Sequence, residues 1–354
     1  MMKKLLVITV AVILMIPQQG LCLRPTARTL EKHDLHKKHI EAYEGLKGLV
    51  YELGNIMLQY REGIREMATQ EKPDATLVTE ADMAVQEKIV EYINGLFSEQ
   101  LIIAEENFTN KTAEETRIIL EQIKSTEYVW IIDPIDGTNP FVEGSDYYCT
   151  GIALFRKGRP IFSIVYSPEF DIDSTGSSLF EANEWTEGAF LNGKRIYASN
   201  VTDSELLKSR RGIIYKSPHV AERIFEKEFS TFLDASVEEK FLSSLLRILC
   251  IACTGTHDFH MLYTRPHPKL WDVLQAAYIL EKAGGKITDN EGESLFPLKP
   301  EHYEVGGSGE PRLPSIVSGT TPVVEMCLSL IKGTFVQERT LSEIELEVLI
   351  NSAA

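Results

Sequence analysis

Residues 128–138 read Tyr128-Val-Trp130-Ile-Ile-Asp133-Pro-Ile-Asp136-Gly137-Thr138. Five residues rich in β-branched and aromatic side chains, Tyr128–Ile132, fit a buried strand. Two aspartates, a glycine and a threonine follow within six residues, before a segment read as a helix. Carboxylates at a strand end suit hard, oxygen-loving cations such as Mg²⁺. The amides of Gly137 and Thr138, at a helix N-terminus, suit an anion. Asp-Pro-x-Asp-Gly is also a good turn sequence, and a plain turn is the alternative.

Three further carboxylate clusters stand at the edges of expected elements. Asp82 closes Thr76-Leu-Val-Thr79-Glu-Ala-Asp82, where Thr79 and Asp82 resemble a capping box at the start of a helix. Glu105–Glu106 follow the apolar run Leu101–Ala104 directly. Asp272 heads a helix expected from about Trp271 to Ala283, which Gly284 and Gly285 stop. Taken singly, Asp82 and Asp272 read equally well as helix caps, and Glu105–Glu106 as a solvated loop.

Working outward, apolar residues at Leu46, Leu49, Val50, Leu53, Ile56, Met57, Tyr60, Ile64 and Met67 follow the three-and-four spacing of an amphipathic helix. Cys149–Phe155 and Ile161–Tyr166 flank Arg156-Lys-Gly-Arg-Pro160 and read as a hairpin. Asn192-Gly193 signals a second tight turn, and Gly306–Gly309 a loop without the Lys-Ser/Thr of a phosphate-binding P-loop.

At 354 residues, with 44% hydrophobic and 25% charged residues, the chain is that of a folded protein of about two domains. Its 36 Lys and Arg against 52 Asp and Glu give a formal net charge of −16, a field that repels nucleic acid. An anionic substrate would need locally placed cations, and metal ions would supply them. Five cysteines are too few and too scattered for a disulfide framework, and Cys250-x-x-Cys253 reads as apolar packing rather than a zinc or redox site. At the N-terminus, Lys3 and Lys4 precede an apolar run from Leu5 to Ile16. That layout is the one of a signal peptide, so residues 1–22 are expected to be an export signal or membrane tether, with Cys22 as a candidate lipid attachment. The expected location is periplasmic or membrane-tethered, with cytoplasmic as the alternative.

Trp130-Ile-Ile-Asp133-Pro-Ile-Asp136-Gly-Thr138 resembles a signature of the inositol monophosphatase family. Trp271-Asp-Val-Leu-Gln-Ala-Ala-Tyr-Ile-Leu-Glu-Lys-Ala283-Gly284-Gly285 resembles its second signature. Thr76–Asp82, Ala104-Glu105-Glu106 and Gly188-Ala-Phe-Leu-Asn-Gly193 resemble further family segments, all in the family's order over residues 40–335. The resemblance implies an α/β fold, the layered αβαβα sandwich of the inositol monophosphatase and fructose-1,6-bisphosphatase type. The chain would divide into residues 40–195, residues 196–335 and a tail, 336–354.

The activity implied is Mg²⁺-dependent hydrolysis of a small phosphorylated metabolite, with two to three ions and a metal-activated water attacking in line. By the resemblance, Glu105, Asp133 and the Ile135 carbonyl hold one Mg²⁺, and Asp133, Asp136 and Asp272 a second. Asp82 and Glu105 face a weaker third ion and the attacking water, which Asp82 and Thr138 orient or deprotonate. The Gly137 and Thr138 amides hold phosphate oxygens, and Asp258 stands nearest the aspartate that contacts a substrate hydroxyl. Three departures are visible: Ala104 replaces a usual glycine, Asn139-Pro140-Phe141 replaces Thr-Asn-Phe, and the loop from Gly255 to Trp271 is longer and lacks a usual glutamate.

Family members also hydrolyse 3′-phosphoadenosine 5′-phosphate, fructose 1,6-bisphosphate and histidinol phosphate, and Trp271-Asp272 sets the last apart. In the long loop, His257, His260 and His267 lack a closed zinc ligand set. Arg265 and Lys269 read either as holders of a second charged substrate group or as solvated loop residues. Many relatives are dimers, which makes a second copy of the chain the expected macromolecular partner. A member that binds metal or phosphate without turnover is the alternative from another class.

Overall fold

The structure is a computed structural model and describes residues 27–63, 69–71, 77–98, 100–199, 212–215, 243–253, 259–262, 267–299, 303–306, 309–329 and 331–332. It divides into two units, residues 1–41 and 42–354. The first contains the start of helix α1 (Ala27–Glu62) and nothing else described.

The second unit is built on two sheets. After β1 (Thr69–Glu71), β2 (Leu77–Thr79) and helix α2 (Glu80–Leu96), the chain enters the larger sheet at β3 (Leu101–Ala104). A 3₁₀ turn (Glu105–Phe108) and α3 (Ala113–Ser125) lead to β4 (Tyr128–Asp136), and α4 (Thr138–Val142) leads on to β5 (Cys149–Arg156). The sheet continues as a meander through β6 (Arg159–Ser167), β7 (Ser178–Asn183), β8 (Ala189–Leu191) and β9 (Lys194–Ile196). Its seven strands lie in chain order, all pairs antiparallel except β3 with β4. The remainder supplies β10 (Gly212–Tyr215), α5 (Ser244–Ala252), β11 (Phe259–Leu262), α6 (Leu274–Lys282), β12 (Lys286–Asp289), the short β13 (Glu304–Val305) and β14 (Pro311–Arg312), and β15 (Ile316–Gly319). Strands β10, β11, β15 and β12 form the second sheet.

Why the apolar patterns look as they do follows from what covers them. β4 is buried from Val129 onward, which requires cover on both faces. On one side Trp130 meets Phe97 and Phe162, and Tyr43 of α1 meets Phe162 edge-on at 5.4 Å. On the other lie α5 and α6, both packed against β5 and against strands of the second sheet. Helices squeezed between two sheets have no polar face to present, and Leu245–Ala252 and Leu274–Leu280 are buried throughout. The order of helices and sheets is that of the αβαβα sandwich.

The expected β5–β6 hairpin forms, with Lys157 at φ 50° and Gly158 at φ 76°, and Asn192-Gly193 repeats the geometry between β8 and β9. The Trp271 helix starts later than its apolar pattern suggests: Trp271–Val273 form a turn, and α6 opens at Leu274 with Val273 at its cap. Asp272 is therefore not a helix cap. A complete capping box occurs at Thr112 and Glu115, at the start of α3; the side chain of Thr79, expected to pair with Asp82, lies outside the described residues. Cys250 and Cys253 are buried in and beside α5, their thiols pushed up to about 12 by burial, as expected of packing residues.

The export or membrane-tether expectation is corrected. It rested on a twelve-residue apolar run, shorter than the roughly 20 residues a span needs, and residues 1–22 with Cys22 lie outside the described residues. Among the described residues no helix is long and apolar enough to cross a membrane. The tail 336–354 also lies outside them.

A Cβ at Gly158 would sit 2.6 Å from the Leu298 carbonyl oxygen, on a backbone with positive φ. Gly158→Ala should lower stability by about 1–3 kcal/mol, read as the shift in the denaturant midpoint.

Candidate active site

Parallel pairing brings the first two carboxylates together. Ala104 on β3 lies opposite Ile132 on β4, so Glu105 and Asp133, each the next residue, leave adjacent strands at the same end of the sheet. Asp133 and Asp136 are three apart, which on a regular strand would send them to opposite faces. β4 solves this with a bulge: Asp133 pairs with Gly151 and Asp136 with Cys149, so one extra residue is absorbed between them. Their partners on β5 are two apart and share a face. Asp272 arrives from the turn before α6, and its carboxylate oxygen lies with those of Asp133 and Asp136 within 4.8 Å of one another. Asp82, in the first turn of α2, is fully buried and adds its charge to the field at Asp133.

Each carboxylate has a different degree of internal support. Asp136 accepts from the first amides of α5, Ser244 N at 3.2 Å and Leu245 N at 2.6 Å, so it also caps that helix. Asp272 accepts from the Lys269 amide at 3.0 Å. Glu105 receives the Lys269 ammonium at 3.2 Å. Among the described residues, Asp133 has both carboxylate oxygens buried with no hydrogen-bond partner. A carboxylate so placed, facing four others, is a strong sign that a cation belongs beside it. The all-oxygen donor set fits a hard divalent ion. The Ile135 carbonyl, a sequence candidate, accepts from the Thr138 hydroxyl at 3.1 Å.

Gly137 turns the chain from β4 into α4 at φ 90°, and a Cβ there would stand 2.8 Å from the Tyr147 carbonyl. Only glycine fits. Pro140 sits in the first turn of α4, where its missing N–H costs nothing.

The sequence candidates Asp82, Glu105, Asp133, Ile135, Asp136, Gly137, Thr138 and Asp272 all fall within described segments. Asp258, His257 and Arg265 lie outside them, as does the side chain of His260. His267 faces the Glu304 carboxylate at 2.9 Å. Lys269 is not a solvated loop residue, being 6% exposed. Sequence reading missed Ser243, whose hydroxyl caps α5 and lies 3.4 Å from Cys149 Sγ, and missed the α5 amides on Asp136. Ser243 followed by the apolar run from Leu245 was the available signal.

Burial and mutual repulsion raise these carboxyls. Asp133 is pushed well above the usual range, first by burial and then by Glu105, Asp136 and Asp272. Asp136 is raised to about 7 by burial and by Asp272. Asp272 is raised to about 6 by burial, against the pull of Lys269. Unfolded aspartates titrate near about 3.9, so between there and about 7 the folded metal-free chain holds more protons than the unfolded one. Its stability must then fall as pH rises through that window. Thermal unfolding of metal-free protein should show a midpoint declining from pH 5 to 8, and saturating Mg²⁺ should flatten the decline. Asp133→Asn removes a buried charge and breaks no hydrogen bond. At pH 8 it should stabilise the metal-free chain by about 1–3 kcal/mol and reduce the gain from Mg²⁺.

The inositol monophosphatase family model matches residues 40–315. "Nus factor SuhB" of Pasteurella multocida is 28% identical over 277 residues, covering 78% of this chain and 92% of that protein. "Fructose-1,6-bisphosphatase/inositol-1-monophosphatase" of Aquifex aeolicus is 27% identical over 241 residues, covering 66% of this chain and 80% of that one. The solved Thermotoga maritima IMPase superposes with a TM-score of 0.60 at 21% identity, over 84% of this chain and 99% of its own. A family match over most of the chain, with the carboxylates of both signatures brought to one place, settles the assignment: the chain belongs to the inositol monophosphatase family.

Proposed function

We propose that the chain is a Mg²⁺-dependent phosphomonoesterase acting on a small phosphate ester, an inositol monophosphate above all. The observation that carries this reading is the convergence of Asp133, Asp136 and Asp272, with both Asp133 oxygens buried and unsatisfied. The family and the relatives bearing phosphatase names support the phosphoric monoester hydrolase class. Other substrates of the same fold, 3′-phosphoadenosine 5′-phosphate and fructose 1,6-bisphosphate, are the alternatives within the class.

Glu105, Asp133 and the Ile135 carbonyl would hold one ion, and Asp133, Asp136 and Asp272 another. When bound, such ions supply positive charge to the phosphate and acidify a water. The chain's own groups do the rest. The Gly137 and Thr138 amides, at the open end of α4, bind phosphate oxygens. Asp82 and Thr138 orient the attacking water, and Asp82 takes its proton. Asp258 contacts a substrate hydroxyl. The two halves, residues 40–195 and 196–335, each contribute: Asp133 and Asp136 come from the first, Asp272 from the second.

A binding role without turnover is the second reading, prompted by relatives named Nus factor SuhB. The presence of every acidic candidate ligand in the described structure favours turnover.

Phosphate release from inositol 1-phosphate, 3′-phosphoadenosine 5′-phosphate and fructose 1,6-bisphosphate, with and without Mg²⁺, tests this. Release should require Mg²⁺, and Asp133→Asn should lower it by about 100-fold or more. Folded, Mg²⁺-loaded protein that releases phosphate from none of them would favour the binding role.

A further inference from the structure

Helix α2 carries a second buried polar residue that the proposed chemistry does not use. Gln86 stands four residues after Asp82, so the two share one face of α2 a turn apart. Asp82 is fully buried and Gln86 is 5% exposed. A glutamine is costly to bury unless its amide is hydrogen-bonded, and here both ends of that amide are spent on one short segment. The Glu106 backbone amide donates to Gln86 Oε1 at 3.0 Å, and Gln86 Nε2 donates to Asn107 Oδ1 at 3.2 Å.

That segment is the 3₁₀ turn Glu105–Phe108. The opening amides of such a turn have no acceptor within it, and Ala104, at its cap, supplies no side-chain hydrogen bond. Gln86 supplies an acceptor from another element. The Glu106 amide belongs to the same peptide unit as the Glu105 carbonyl, so this bond fixes how the chain leaves Glu105. The Thr109 hydroxyl donates to Glu106 Oε2 at 3.1 Å, which engages the neighbouring carboxylate locally. At the far end of the turn Phe108 packs on Trp271, the residue before Asp272, with ring centroids 5.3 Å apart. The turn that presents Glu105 is therefore held to α2 at its start and to the Trp271 segment at its end.

From this arrangement we propose that Gln86 is a positioning residue. It ties the Glu105–Glu106 peptide to the helix that carries Asp82, and so sets the spacing between the side chain that takes the water's proton and one that would hold an ion. The inference rests on the reading of the cluster as the site of a Mg²⁺-dependent phosphomonoesterase. Without the Gln86 acceptor the turn keeps its packing on Trp271 but loses its tie to α2, and Glu105 is no longer presented in one orientation.

Titration of the full-length chain with Mn²⁺, following the free ion by electron paramagnetic resonance, reads this without turnover. Glu105→Gln identifies the binding that depends on Glu105. Gln86→Met, which lacks the carbonyl acceptor, should weaken that same binding by about tenfold or more, and should weaken it no further when added to Glu105→Gln. Gln86→Glu keeps an acceptor for the Glu106 amide and should not lose affinity. Ile89→Ala empties a fully buried position further along α2. It should lower the thermal midpoint and leave Mn²⁺ affinity unchanged, which separates placement from stability. Gln86→Ala serves where the methionine variant does not fold. Wild-type affinity in Gln86→Met and Gln86→Ala, or an equal loss in Ile89→Ala, overturns the inference alone. Wild-type-like binding in Glu105→Gln or Asp133→Asn, or no binding in wild type, would instead overturn the site reading and the inference with it.

Discussion

Four acidic side chains gathered around Asp133 repel one another, and the structure around them is arranged to tolerate that repulsion. Asp82, Glu105, Asp136 and Asp272 all raise the cost of ionising Asp133, whose carboxylate has no hydrogen bond among the described residues. A fold does not keep such an arrangement for stability, because an apolar replacement would cost less. It is kept for what the charges attract. The internal answers are partial: α5 amides on Asp136, the Lys269 amide on Asp272, and the Lys269 ammonium on Glu105. The remainder, centred on Asp133, fits the divalent cation of the proposed site.

That requirement explains features of the sheet that packing alone would not. The parallel β3–β4 pair interrupts an otherwise antiparallel meander, and it delivers Glu105 and Asp133 side by side. The bulge in β4 rotates Asp136 onto the face of Asp133. Gly137 then turns the chain sharply enough to start α4 at once. Behind these, α5 and α6 are locked between two sheets, so the N-terminus of one and the turn before the other cannot drift from the carboxylates they support.

Much of this was legible in the sequence because it is local. The β-branched and aromatic run Tyr128–Ile132 declares its own burial and sets Asp133 directly after it, as Leu101–Ala104 sets Glu105. The Lys157-Gly158 and Asn192-Gly193 turns carry their conformation in their residue types. What escaped depends on long-range pairing. Nothing near Lys269 announces that it will lie beside Glu105, more than 160 positions away. The α5 amides reach Asp136 across 109 positions. Asp272 looked like a helix cap because the apolar pattern of α6 begins with Trp271, whereas the helix itself begins after the turn that aims the carboxylate inward. The twelve-residue apolar run at the N-terminus shows the opposite failing, a local pattern with no described structure to support the export it suggested.

The central claim is that the buried carboxylates form a cation site, and anomalous scattering from crystals grown with Mn²⁺ tests it most directly. The account predicts a peak bound by Asp133, Asp136 and Asp272 together, within ordinary metal–oxygen distance of at least one Asp133 oxygen. Ordered protein in saturating Mn²⁺ with no peak among these three side chains would contradict it.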